Sequence, residues 1–385
     1  MPECIRLKNF FEGSTIVKRL LIDSHLDLAW NALFWDRDLT LSLDELNRRD
    51  AIHSDNMARG RATTSLPELR RGGVAVCLGT LMARVAYGKP GIFSSTLDYA
   101  SHHAAYAAAQ GQLAYYRRLA EVGEVTLIGT TAELDAHWKK WQAAECSEWP
   151  ELPLGIIVAM EGCDGIAEPA QSKEWFQDGL RCTSLVHYGT SAYAHGTGEE
   201  GPLSDAGREI LKRFSETGMI LDVTHLSDES FFEAIEVFDG PLMASHQNCR
   251  ELIPGQRQFS DEQIRQVIQR DGILGSALDA WMLCKGWKRG PSLETTTSRD
   301  QVQLDAVADH MDHICQLAGN CSHVAIGSDL DGGFGTEQTP SGLESIADLQ
   351  KLADILSGKG YDDGSIDAIF HGNWLRFFRQ HLPDK

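Results

Sequence analysis

Short apolar runs rich in Val, Ile and Leu alternate along the chain with longer amphipathic segments, and most of the runs stop at a Gly, His, Asp or Glu. Such a run has no polar face, so as a strand it must be covered on both sides, the usual condition of parallel sheets flanked by helices. Strands are expected over residues 19–24, 73–81, 125–129, 154–160, 182–186, 219–224, 241–245, 272–278 and 324–328. Helical patterns occupy residues 97–122, 131–144, 202–217, 228–238, 261–270, 300–318 and 343–357, with Asp228 and Ser260 where N-caps belong and Gly218 and Gly319 where helices stop. Two architectures satisfy this alternation, an open doubly wound sheet and a closed (β/α)8 barrel. No GxGxxG follows the first run and no Walker A sequence is present, so the nucleotide-binding open sheet has no support. The expected fold is α/β, a (β/α)8 TIM-type barrel with loop insertions and C-terminal helices, the nine runs supplying eight barrel strands and one extra. A typical barrel takes about 250 residues, leaving roughly 135 of the 385 for insertions, an N-terminal arm at about residues 1–18 and the C-terminal helices. No linker or low-complexity tract divides the chain, so residues 1–385 are read as one domain.

Charge narrows the partners. The chain has 35 Lys plus Arg against 55 Asp plus Glu, a formal charge of -20, which repels nucleic acid and anionic membrane. The 9 cysteines are odd in number, scattered and without a CxxC pair, which favours a reducing compartment. No signal-like apolar stretch opens the chain, no hydrophobic tail closes it, and no apolar run approaches the roughly 20 residues of a membrane span, so a cytoplasmic location is expected.

Candidate chemistry lies at the ends of the strands. The first run places His25 and Asp27 two residues apart, on one face of a strand. Later runs end at Glu161, His225, His246 and Asp329. In a barrel these ends converge at the C-terminal mouth, so three His and three carboxylates would share one pocket. Imidazole and carboxylate without thiolate suit zinc or another first-row divalent ion in a catalytic site, and six groups are enough for two ions with a shared carboxylate. Singly, each His could be an ordinary loop residue and Asp27, Asp329 or Asp331 a helix cap; Glu161, directly after a largely apolar run and before Gly162, has no capping role. His310 and His313 are expected on a solvated helix face beside Asp309 and Asp312, His102 and His103 in packing roles, and Cys163 as a small buried residue. There is no GxSxG, hence no support for a serine hydrolase.

Taken in order, the segments Asp23-Ser24-His25-Leu26-Asp27-Leu28, Met160-Glu161-Gly162, Leu221-Asp222-Val223-Thr224-His225-Leu226-Ser227-Asp228, Ser245-His246, Gly327-Ser328-Asp329-Leu330-Asp331-Gly332 and Gly372-Asn373-Trp374-Leu375-Arg376 resemble those of the membrane (renal) dipeptidase family of dinuclear zinc peptidases. The resemblance runs from Ile22 to about Phe378. It implies two Zn2+ per chain, one on His25 and Asp27, the other on His225 and His246, with Glu161 bridging and a hydroxide between the ions as nucleophile. It further implies that Asp329 orients that water and shuttles its proton, while Asp331 serves its loop. His187, at the end of the fifth run, would polarise the scissile carbonyl, and Arg257, eleven residues after His246, would grip the substrate carboxylate, with Arg250 as competitor. A small dipeptide, with a D-residue tolerated on the carboxyl side, is the implied substrate, and a homodimer the implied assembly. The segment Tyr188 to Tyr193 lacks the family's following Asn, the run 273–279 lacks its bulkier pattern, and the segment Met82 to Ser95 is unfamiliar, so the metal centre carries over better than the substrate. A lactonase, deaminase or amidase on the same barrel, or a metal-binding subunit without turnover, are the alternative functions.

Overall fold

The computed structural model describes residues 18–86 and 97–384. The expected N-terminal arm up to residue 17, with Cys4, and residues 87–95 of the unfamiliar segment lie outside the described residues.

Eight parallel strands form the barrel: β1 (Leu21–Leu26), β2 (Val74–Met82), β3 (Leu154–Glu161), β4 (Leu180–Ser184), β5 (Ile220–Asp222), β6 (Leu242–Met243), β7 (Leu274–Ser276) and β8 (Val324–Ile326). Each pairs with the next, and β8 pairs with β1. The ring closes between β6 and β7, where Ala244 N donates to Ile273 O at 2.9 Å and Gly275 N to Ala244 O at 2.8 Å. The ninth run, Val125–Leu127, is the extra one. It pairs with the first residues of β3 on the edge that β4 takes over farther along, so it lies outside the ring.

The last four strands are shorter than their apolar runs because the chain leaves the sheet as it reaches the mouth, where His225 and Asp329 adopt left-handed backbone angles, φ 70° and 57°. Inside the barrel, Ser24 Oγ donates to Ser245 O at 2.5 Å. A side chain at Gly275 or Gly327 would collide with that same Ser245 carbonyl, so both positions require glycine. Helices surround the ring, and the apolar core runs continuously from Leu21 to Leu382. The C-terminal helix Asn373–His381 seals β8: Asn373 donates to Val324 O at 2.7 Å and Trp374 to Ile326 O at 2.9 Å. Among the described residues, no helix is long and apolar enough to cross a membrane.

Several helix details differ from expectation. Ser260 caps its helix as expected, and Gly218 and Gly319 stop theirs at φ 79° and 71°. Asp228, however, is the first residue inside its helix; Ser227 is the cap, accepting from Ser230 N at 3.2 Å. That frees the Asp228 carboxylate to pair with both ends of the Arg250 fork at 2.7 Å. The helices expected from residues 97, 202 and 300 begin at His102, Asp205 and Asp305. His310 is not on a solvated face: it is 2% exposed, and its Nδ1 accepts from Cys249 N at 3.0 Å. It falls in the helical stripe of Val307, Met311 and Ile314, all buried, whereas Asp309 and Asp312 lie around the helix from it. His313 is half-buried, 2.7 Å from Asp261.

Candidate metal centre and active site

Two buried carboxylates shape the ends of the strands on either side of the mouth. Asp23 Oδ1, in β1, accepts from His25 N at 3.1 Å and from Ser328 N, just past β8, at 2.9 Å. Asp222 Oδ1, ending β5, accepts from Thr224 N and from Ser245 N, each at 3.0 Å, and Asp222 Oδ2 accepts from Ser245 Oγ at 2.5 Å. Each carboxylate curls its own strand end and ties it to a neighbour, which aims the histidine that follows into the barrel. Ser245 Oγ also lies 2.8 Å from His246 Nδ1, leaving Nε2 of that ring for the cavity.

Glu161 stands at the centre. Its Oε1 lies 3.0 Å from His225 Nε2, 3.3 Å from His246 Nε2 and 3.7 Å from His187 Nε2, and its Oε2 lies 3.5 Å from His25 Nε2. His25 Nε2 is also 3.8 Å from both Asp27 Oδ1 and Asp329 Oδ1. Five of the six expected donor side chains are 3% exposed or less; Asp329 keeps an edge of 15% towards the cavity. The electrostatics are those of crowded acids. Burial opposes a charge on His25, yet Glu161, Asp27 and Asp329 together push it up to about 10. Burial and Glu161 push Asp27 up to about 6, and burial drives Asp329 well above the carboxylate range. Burial would raise Glu161 too, but the surrounding histidines hold it well below its usual value. Among the described residues, His25 Nε2 and Asp27 Oδ2 are buried without a hydrogen-bond partner, an arrangement that costs about 1–3 kcal/mol per group when nothing else satisfies it. Orphaned imidazole and carboxylate atoms beside a shared glutamate, with no thiolate, form a donor set that fits borderline divalent ions such as zinc.

Two further groups face the cluster. Arg84 Nη1 lies 3.1 Å from His187 Nδ1, and since a guanidinium only donates, Nδ1 is the acceptor. Burial, with the charges of Arg84 and Arg257, holds His187 down to about 3, so the ring is neutral and its proton sits on Nε2, the atom facing Glu161. Arg257 is 4% exposed; its guanidinium donates to Gln247 Oε1 and, at 2.9 Å, to His246 O. Among the described residues no carboxylate lies within ion-pair distance of it. Arg250, its competitor, is committed to Asp228 outside the cavity.

The model of the membrane dipeptidase family, peptidase family M19, matches residues 13–382. The chain belongs to that family. Among curated relatives of this M19 chain, an uncharacterised protein in the pqqA 5' region of Klebsiella pneumoniae is 29% identical over 235 residues, 59% of this chain and 82% of that one. The dipeptidase aclJ of Aspergillus oryzae is 28% identical over 228 residues, 58% of this chain and 50% of its own, and dipeptidase 3 of Mus musculus 25% over 258 residues, 61% and 49%. The aligned region thus spans about half the length of those curated dipeptidases. A metallo peptidase from Rhodobacter sphaeroides, solved with a phosphinate mimic of the dipeptide L-Ala-D-Ala, matches with a TM-score of 0.73 at 20% identity, over 95% of this chain and 99% of that one. The probable dipeptidase PvdM from Pseudomonas aeruginosa matches with 0.71 at 16%, over 95% and 96%. At such identities these structures establish that the M19 chain shares their fold.

Around the centre of this M19 chain is a cavity whose walls carry further residues. Trp30, Leu97, Tyr188, Asp279, Trp281 and Arg289 are among them. No short motif marks them, since they come from loops of unequal length. Asp23 and Asp222 were legible in principle, because each precedes a mouth histidine by two or three residues. Asp331 accepts four hydrogen bonds of 2.7–3.0 Å from Thr63 and Thr64, which tie its loop to that segment. Cys163 is buried, with its Sγ 3.5 Å from Leu185 O.

Proposed function

We propose that this M19 chain is a dinuclear zinc dipeptidase that hydrolyses the amide bond of small dipeptides, with a D-residue accepted on the carboxyl side. The observation that carries this reading is one buried glutamate ringed by four imidazoles and two carboxylates, in a cavity that also holds a buried arginine with no acidic partner among the described residues. His25 and Asp27 would hold one ion, His225 and His246 the other, and Glu161 both. When bound, the pair would supply Lewis acidity and make water a competent nucleophile at neutral pH.

The chain's own groups supply the rest. Arg257, its fork unclaimed by any described acid, takes the terminal carboxylate of the dipeptide. His187 presents its Nε2 proton to the scissile carbonyl oxygen, where negative charge develops. Asp329, the donor that keeps an exposed edge, accepts a proton from the attacking water and returns it to the leaving amine. The described cysteines are all free thiols, which supports a reducing, cytoplasmic setting.

The test is metal analysis together with hydrolysis of L,L and L,D dipeptides before and after chelation. The expected result is about two zinc ions per chain and chelator-sensitive release of amino acids. Arg257→Ala should raise KM for dipeptides and leave a neutral lactone or ester unaffected. Two bound ions with no dipeptide turnover would move the activity to a lactonase or other amidase; no bound metal would end the reading.

A further inference from the structure

The cavity is asymmetric, and its asymmetry follows the barrel. In the ring, β2 and β6 are four places apart among eight strands, so their C-terminal ends face each other across the mouth. Arg257 follows β6, and the metal-ligand candidates lie between the two sides. A dipeptide whose carboxylate rests on Arg257 and whose amide lies at Glu161 must direct its amino-terminal residue towards β1 and β2.

That side is apolar. Its wall is Trp30, from the helix after β1, Met82, the last residue of β2, and Leu97. With Trp35 and Ala58 they form an apolar cluster separate from the barrel core. Each is braced. The fully buried amide of Gln112 accepts from Met82 N at 2.8 Å and donates to Met82 O at 2.7 Å, standing in for a strand partner. Leu97 O accepts from Arg84 N at 2.9 Å. Trp30 packs edge-on against Trp35 at 5.5 Å, and Trp35 is held beneath the guanidiniums of Arg37 and Arg59, both anchored on Asp50. Asp27, the charged neighbour on this side, is committed to the His25–Glu161 cluster.

We infer that Trp30, Met82 and Leu97 form the pocket for the amino-side residue of the substrate and select an uncharged, apolar side chain. The inference rests on the dipeptidase reading and names the substrate class that this site takes. A charged side chain would be stripped of water against this wall, where no described residue offers a free counter-charge, whereas an aliphatic one exchanges water for contact.

The experiment uses the zinc-loaded full chain and the dipeptides Xaa-L-Ala and Xaa-D-Ala, with Xaa as Leu, Met, Phe, Asp or Lys. The expected kcat/KM for Leu and Met exceeds that for Asp and Lys by at least about 100-fold. Met82→Lys, whose backbone contacts to Gln112 are retained, should raise Asp-Ala and lower Leu-Ala turnover by about tenfold each, while Met82→Leu leaves the order unchanged. Hydrolysis of Asp and Lys dipeptides within about threefold of Leu would overturn the inference and leave the dipeptidase reading standing. Two zinc ions bound with no dipeptide hydrolysed at all would overturn both.

Discussion

At the scale of single residues, the site depends on which atom of each histidine carries the proton. His187 illustrates this: its Nδ1 is claimed by Arg84, and Arg84 is itself held by Asp98 through contacts of 2.9 and 2.6 Å. Remove the guanidinium and the imidazole is free to present its lone pair, where the proposed mechanism needs a donor. Arg84→Met is therefore expected to lower kcat by roughly 10- to 100-fold with KM little changed, and Arg84→Lys to recover part of the loss. A 15N spectrum of the histidine rings checks the cause directly, since the variant should lose the Nε2-protonated signature while its thermal melt stays near that of the parent. A merely structural role would move the melt and leave the tautomer alone. Asp222 acts at the same scale on ligand position. Asp222→Asn keeps the volume but removes the charge that takes the Ser245 hydroxyl proton, and should weaken zinc binding by about 10- to 100-fold in a competition titration.

At the scale of elements, the helices decide what the strands can present, and some of their placement follows from buried polar contacts that composition conceals. The helix Asp305–Ala318 carries five acidic or histidine residues within its first nine, which reads as a solvated face. His310 nevertheless turns inward, because the stripe through Val307, Met311 and Ile314 includes it and because Cys249 N needs an acceptor. Burial holds this imidazole down to about 4, against 6.5 in the unfolded chain. The unfolded chain therefore binds the proton first as pH falls, so this contribution to stability is complete above about pH 6.5 and is lost on going down to about pH 4. His310→Gln, which keeps an acceptor for Cys249 N, should flatten the pH dependence of unfolding in that window by up to about 3 kcal/mol, measured by urea denaturation against the parent. An identical slope in both proteins would show that His310 does not titrate there.

At the scale of the whole molecule, closure of the ring turns residues from distant parts of the chain into neighbours. His25 and Asp329 are 304 positions apart in the sequence, yet their side chains approach within 3.8 Å. A cluster of buried acids and orphaned imidazole atoms is a destabilising arrangement until cations occupy it, so metal and stability should be linked. Chelation is expected to lower Tm by several degrees and added zinc to restore it, consistent with about 2.7 kcal/mol for a ligand at 100 times its Kd. A melt indifferent to chelator and zinc alike would argue that the cluster holds no ion.

The strands were legible because their apolar runs are continuous and long enough to be read locally, and the mouth residues were legible because a strand's end is marked by the first polar side chain after such a run. His25, Asp27, Glu161, His225, His246 and Asp329 could be named in this way from neighbours a few residues distant. What the sequence by itself determined is thus the alternation of elements, the barrel, and the chemical types gathered at one end of it. Only the tertiary structure decided that Glu161 would sit among the four histidines, that Arg84 rather than a nearer residue would set the His187 tautomer, and that Trp30, Met82 and Leu97 would line the same cavity as Arg257. Those contacts join loops of different lengths across the ring, and the hydrogen bonds and burial that fix them exist only once the ring has closed.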